Sequence, residues 1–213
     1  LRAAWFVEYY WKNLEANVAS ARRVLGLEEP RQEEADLWDL VNEGIELGVS
    51  HACHKSLKVA PLRRPERISC AVMTDPALVN LLVVGELITD SMKYQKQNGR
   101  TEVSVDLRVD EQYKFARVSV ADTGIGISEE DQAKLFGRGF RASNVGAVKG
   151  TGRGLFGARN LMRKLGGDLV LEESAHDLSS GIGAPCSAPA STCPPSAGVR
   201  KLLRARLACR AGT

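Results

Sequence analysis

The sequence predicts an α/β sandwich, and three observations carry that expectation. Two neighbouring segments, 102–109 and 114–121, alternate apolar and polar residues in the two-residue period of strands. A long, strongly apolar stretch over 76–94 and a second segment over 153–165 fit helices. A last short strand, Asp168–Glu172, follows the helix stop Gly166-Gly167. The 213 residues leave room for one sizeable domain with an appendage. A hydrophobic share of 44% and a charged share of 26% are those of an ordinary soluble globular chain.

In chain order, residues 1–27 read as a helix, because Leu14, Val18, Ala21 and Leu25 form one apolar stripe. Glu28-Glu29-Pro30 breaks it, since proline disfavours helical geometry in the residue before it. Leu37 to Val49 is amphipathic, with Leu37, Leu40, Val41, Ile45 and Val49 as its apolar set. Ile68 to Met73 reads as a strand between Pro65 and Asp75. Asp110-Glu111-Gln112 supplies a hairpin turn between the two alternating strands. Ser179 to Gly198 is rich in Ser, Ala, Pro and Gly without an apolar period, which predicts a disordered tail. The expected organisation is a helical stub over 1–30, the main domain over 31–178 and a low-complexity tail over 179–213.

The net charge of +3 points to neither nucleic acid nor membrane, and no nucleic-acid partner is expected. No apolar run approaches the ~18–20 residues that span a bilayer. The five cysteines are scattered with no CxxC pair, which suits reduced thiols in a cytoplasmic compartment.

Three stretches carry chemistry. Asp122-Thr123-Gly124-Ile125-Gly126-Ile127 follows directly on a strand, where a carboxylate can accept from an exocyclic amine and glycines let the backbone pass under a flat ring. Taken alone, it is equally an ordinary glycine turn. Gly150-Thr151-Gly152-Arg153-Gly154-Leu155 opens a helix, whose free N–H groups make a seat for phosphates. Glu86, Asp90 and Lys93 recur at spacings of four and three on the long helix and so share a face. Without the glycine stretches, that face would read as a solvated one.

In this order the three stretches resemble the GHKL ATPases, and within them the catalytic ATP-binding domain of sensor histidine kinases. Glu86–Tyr94 resembles the N box, and Asp122–Ile127 and Gly150–Leu155 the two glycine boxes. Leu135-Phe136-Gly137-Arg138-Gly139-Phe140-Arg141 looks like the phenylalanine box. The resemblance covers roughly residues 36–173. It implies a two-layer sandwich of a mixed, mostly antiparallel sheet with helices on one face. It also implies ATP and Mg2+ as cofactors, with transfer of the γ-phosphoryl group to a histidine in a two-component phosphorelay.

By that resemblance Asp122 binds the adenine amine, Gly124 and Gly126 shape the pocket floor, and Tyr94 flanks the base. Lys93 approaches the phosphates, and Glu86 stands where ATP-hydrolysing members have a general base. Gly150, Gly152, Gly154 and Leu155 wrap the triphosphate beneath a lid over 128–149, which Phe136 and Phe140 anchor. Phe140 is equally readable as a core aromatic. Asp90 occupies the position of the family's metal-binding asparagine, and a carboxylate is also a hard-oxygen ligand for magnesium.

The implied partners are a phosphoacceptor histidine on a dimerisation helix, a response-regulator receiver domain and a second copy of the chain. None of His51, His54 and His176 fits the acceptor pattern, and residues 1–27 read as the end of a dimerisation helix. The family's next strand, in a Gly-x-Gly-Thr-x-Phe context, is begun by Ser180-Gly181-Ile182-Gly183 and abandoned at Ala184-Pro185-Cys186. Asp90, the missing acceptor and that broken strand favour an alternative, a degenerate nucleotide-binding module acting as a dimerisation or signalling scaffold. A serine kinase or anti-sigma kinase of the same superfamily would need no dimerisation helix.

Overall fold

The computed structural model describes residues 29–97, 100–110, 115–146, 148–174 and 201–208. The expected stub over 1–27 lies outside the described residues, as do 175–200.

The strands are β1 (Glu33–Asp36), β2 (Leu62–Arg63), β3 (Ala71–Thr74), β4 (Val103–Asp110), β5 (Phe115–Asp122), β6 (Asp168–Ser174) and β7 (Lys201–Ala208). The helices are α1 (Leu37–His54), α2 (Pro76–Val79), α3 (Gly85–Lys93), α4 (Glu129–Gln132) and α5 (Gly154–Lys164). A π-helical turn, Asn80–Val84, joins α2 to α3, so the apolar stretch expected as one helix is one rod with a wide turn inside it.

Five strands form the main sheet in the order β2-β4-β5-β7-β6, parallel only between β2 and β4. One face of it is apolar: Val103, Val105, Leu107, Val118, Val120, Leu169, Leu203 and Ala205 are buried. They pack with Val41, Ile45, Leu87, Ile88 and Met162 of the helices into one core. The opposite face carries polar pairs such as Arg117–Asp110 and Arg204–Glu172. One apolar and one polar face is the pattern of a sheet covered on a single side. The expected two-layer sandwich is therefore what the chain forms.

Three findings differ from the sequence reading. The first helix runs through His54, so His51 and His54 lie on its last turn and not beyond it. The strand expected from Ile68 begins at Ala71 and pairs with β1, giving a separate two-stranded ribbon. Most consequentially, residues 201–208 of the expected tail form β7, paired along its whole length with β5 and on its other edge with β6. Leu203, Ala205 and Leu207 alternate with Arg204 and Arg206, a half-buried strand pattern that the low-complexity run before it conceals.

Side-chain caps fix where α1 and α2 start. Asp36 accepts from the N–H groups of Trp38 and Asp39 at the head of α1. Asp75 accepts from Leu78 N–H, with Pro76 pre-set in the first helical turn. Gly44 and Gly48 of α1 let that helix cross very close to the other: a Cβ on them would lie 2.6 Å from Val84 Cβ and 2.7 Å from Ile88 Cβ. Thr89 hydroxyl donates across the contact to Gly48 carbonyl. This contact holds α3 at a fixed height above the sheet.

Candidate functional site

On α3 the buried residues Leu87, Ile88, Ser91 and Met92 face the core, which turns Glu86, Asp90 and Lys93 toward an open cleft. Tyr94 ends the helix, its N–H donating to Asp90 carbonyl and its own carbonyl accepting from Ile125 N–H. A Cβ on Gly124 would collide with that Tyr94 carbonyl, so glycine there is what lets the loop after β5 press against the helix end.

Asp122 closes β5 on its apolar face and is 3% exposed. Its Oδ1 accepts from Gly124 N–H at 3.0 Å, and its Oδ2 accepts from Ser91 hydroxyl at 3.0 Å. Lys201, directly opposite it in the antiparallel ladder, brings Nζ to 2.9 Å from the same Oδ2. Burial alone would depress the Lys201 amine, but Asp122 and Asp90 outweigh it and hold the amine above the usual lysine range.

Across the cleft, Gly152 adopts a left-handed φ of 64° and accepts from Gly139 N–H at 3.0 Å. A Cβ there would run into the backbone of Gly139 and Phe140, and one on Gly154 would strike the Glu86 carboxylate. The glycines thus bring the N-terminus of α5 onto the acidic face of α3. Asp131 ties the intervening segment down, accepting from Ser143 N–H and hydroxyl at 2.6 and 2.7 Å.

The cleft measures about 840 Å³. Of the residues singled out from sequence, Glu86, Asp90, Lys93, Tyr94, Asp122, Gly126, Gly150, Gly152, Gly154 and Leu155 line it, as does Phe140. Gly124 and Phe136 do not: Gly124 lies behind Asp122, and Phe136 packs on the core with the Arg159 guanidinium 4.5 Å from its ring centre. Lys55, Arg141, Lys149 and Lys201 also line the cleft and were not singled out as site residues. For Lys201 the signal was there: it is the first residue of a period-two segment that pairs with the strand carrying Asp122.

Burial, and then the neighbouring Asp90, push the Glu86 carboxyl above its ordinary range. Burial likewise raises Asp90, while Lys201 and Lys93 counter the shift. Among the described residues, no group of three or more His, Cys, Asp or Glu side chains could hold a metal unaided. Two carboxylates one helical turn apart, facing a cleft lined by four lysines, do fit an ion that takes its remaining ligands from phosphates and water. Among the described residues, no helix is long and apolar enough to cross a membrane.

Comparison with known proteins agrees with this geometry. The family described as histidine kinase-, DNA gyrase B-, and HSP90-like ATPase matches residues 77–186. Drug sensory protein A of Synechocystis is 32% identical over 136 residues, 61% of this chain and 20% of that protein. Sensor histidine kinase Hik2 of Synechocystis is 36% identical over 42% of this chain and 21% of its own length. Sensor histidine kinase WalK of Bacillus subtilis is 34% identical over 41% and 14%. The chain thus matches about a fifth or less of these relatives' lengths.

Among solved structures, the mycobacterial sensor histidine kinase MprB aligns with a TM-score of 0.61 at 18% identity, over 84% of this chain and 99% of that one. The catalytic domain of histidine kinase ThkA aligns at 0.58 and 17%, over 84% and 95%. At these identities the structures establish the fold. With the sheet order, the two glycine stretches facing α3 and a sequence match over just over half its length, the chain belongs to the family of histidine kinase-, DNA gyrase B- and HSP90-like ATPases.

Proposed function

We propose that this chain is the ATP-binding catalytic domain of a sensor histidine kinase and transfers the γ-phosphoryl group of ATP to a histidine on a dimerisation helix. The observation that carries the reading is the gathering, around one cleft, of the Asp122 carboxylate, the Gly150–Gly154 turn, and Glu86, Asp90 and Lys93. That lining offers an acceptor for the adenine amine together with N–H groups and cations for phosphates.

In this reading Asp122 accepts from the adenine amine, Gly126 floors the base pocket and Tyr94 flanks the ring. Lys93, which lies 4.9 Å from the Tyr94 ring centre, reaches the phosphates. The α5 N-terminus with Gly150, Gly152, Gly154 and Leu155 wraps them. Asp90 would hold magnesium, which when bound offsets phosphate charge. The imidazole nitrogen forms a bond to the γ-phosphorus as the bond from that phosphorus to the β–γ bridging oxygen breaks, and ADP leaves. Glu86, with its carboxyl raised toward the working range of a base, takes the imidazole proton.

Relatives named as sensor histidine kinases support the kinase reading over the scaffold alternative. We place the ATPase domain at residues 31–208, longer than the sequence alone suggested, because β7 completes its sheet. The phosphoacceptor, a receiver domain and a second copy of the chain are the partners this reading requires, with the domain on the cytoplasmic side. Incubation with γ-labelled ATP and a separately supplied dimerisation helix tests it. Acid-labile label on that helix is the expected result. Nucleotide binding without any label would leave the scaffold reading as the better one.

A further inference from the structure

Lys201 is a charged side chain only 6% exposed, on a strand that the rest of the proposed chemistry does not use. It enters the cleft on the same face as Asp122, because residues directly opposite in an antiparallel ladder point the same way. Its amine lies 2.9 Å from Asp122 Oδ2, an oxygen that also accepts from Ser91. Asp122 Oδ1 accepts from Gly124 N–H. A carboxylate oxygen has about two acceptor sites, and Gly124 N–H takes one of those on Oδ1, so the other remains there for a ligand.

We propose that Lys201 is a specificity-determining residue of the base pocket, donating from its ammonium to an adenine ring nitrogen next to the amine that Asp122 accepts. The inference rests on the adenine-nucleotide reading above. An ammonium has three donors, and the contact to Asp122 uses one of them. Donor and acceptor then stand side by side, which matches the edge of adenine, where the exocyclic amine is flanked by N1 on one side and N7 on the other. Guanine fits poorly, since its N1–H and N2 amine need two acceptors and Asp122 has one left. Removing Lys201 would also leave Asp122 a buried carboxylate without its counter-charge, so the pair fixes the carboxylate's direction as well.

The test is calorimetric titration of the full chain with ATP, 1-deaza-ATP and 7-deaza-ATP, each with magnesium. It is repeated for Lys201→Met and for Lys201→Thr, whose hydroxyl still offers Asp122 a donor should the methionine variant fail to fold. In the natural chain one of the two deaza nucleotides is expected to bind about ten-fold more weakly than ATP, and in the folded variant that penalty shrinks to within about two-fold. Equal binding of all three by the natural chain overturns the proposal, as does a penalty that persists unchanged without Lys201. Tighter ATP binding by either variant also overturns it, because the ammonium would then be blocking the pocket. If ATP itself does not bind, the adenine reading fails and takes this inference with it; ATP binding with indifference to both ring nitrogens sinks this inference alone.

Discussion

Asp90 and Glu86 stand one turn apart on the cleft side of α3, and burial raises both carboxyls. Lys55 and Lys93 oppose the shift at both carboxyls, and Lys201 opposes it at Asp90. A triphosphate entering without a metal meets a carboxylate where the family has a neutral amide, a repulsion of ~1 kcal/mol at the edge of a protein surface. Asp90→Asn should therefore tighten ATP binding in chelator by about five-fold and flatten its dependence on magnesium. Titrations of both proteins with and without magnesium read this directly, and an unchanged magnesium dependence would remove Asp90 from the metal site. Gly152 offers a second residue-scale test. Its left-handed φ of 64° and the adjacent Gly139 and Phe140 backbone leave no space for a methyl group. Gly152→Ala should weaken ATP at least ten-fold while the melting temperature moves by only a few degrees, because the strain falls on the loop and not on the core.

At the scale of elements, α5 is clamped to β6 by Asp168, which takes Arg159 Nε at 3.0 Å and Arg163 Nε at 3.2 Å. Arg159 also covers Phe136, so the end of the phenylalanine segment is anchored through the same clamp. The Arg159 hydrogen bond, with further bonds from Leu169 N–H and Arg163, lowers Asp168 to about 2 from 3.8. A carboxyl depressed on folding contributes stability above its unfolded value, and that contribution is lost as pH falls through the folded one. Asp168→Asn should cost about 1 kcal/mol at neutral pH, the clamp being partly solvent-screened. Denaturant melts of the two proteins should converge between about pH 4 and pH 2; a gap independent of pH would mean the carboxylate charge is not what holds the clamp.

The same elements show what was legible in the chain. Helix α1 and strands β4 and β5 announce themselves through period, α3 through its apolar run and α5 through the glycines that stop it, and the motifs on α3, after β5 and before α5 through residue type. The π turn did not, because a wide turn leaves apolar content unchanged and only shifts which residues share a face. The β1–β3 ribbon did not either, since four-residue strands are too short for a period to stand out.

For the whole molecule the decisive element is β7, which is separated from β6 by a composition that looks like a terminus and yet fills the gap between β5 and β6. Eight consecutive residues pair it to β5, and Leu203, Ala205 and Leu207 complete the buried face. Without it, Val118 and Val120 would keep only their partners on β4, β5 would become an open edge and β6 would lose the strand it pairs with. A chain ended after Gly198 should lose its cooperative thermal transition and bind an exposed-surface dye; retention of the full-length transition would mean β7 is dispensable. The Asp122–Lys201 pair could not be read from sequence, because it depends on a register between strands about eighty residues apart.

The central claim is that this cleft is an adenine-nucleotide site organised by Asp122. Calorimetric titration of ATP with magnesium into the natural chain and Asp122→Asn tests it most directly. Losing a charge-assisted bond costs ~1.5–3 kcal/mol, so the variant should bind at least ten-fold more weakly while circular dichroism confirms that it is folded. Equal affinity of the two folded proteins would contradict the assignment of the base pocket.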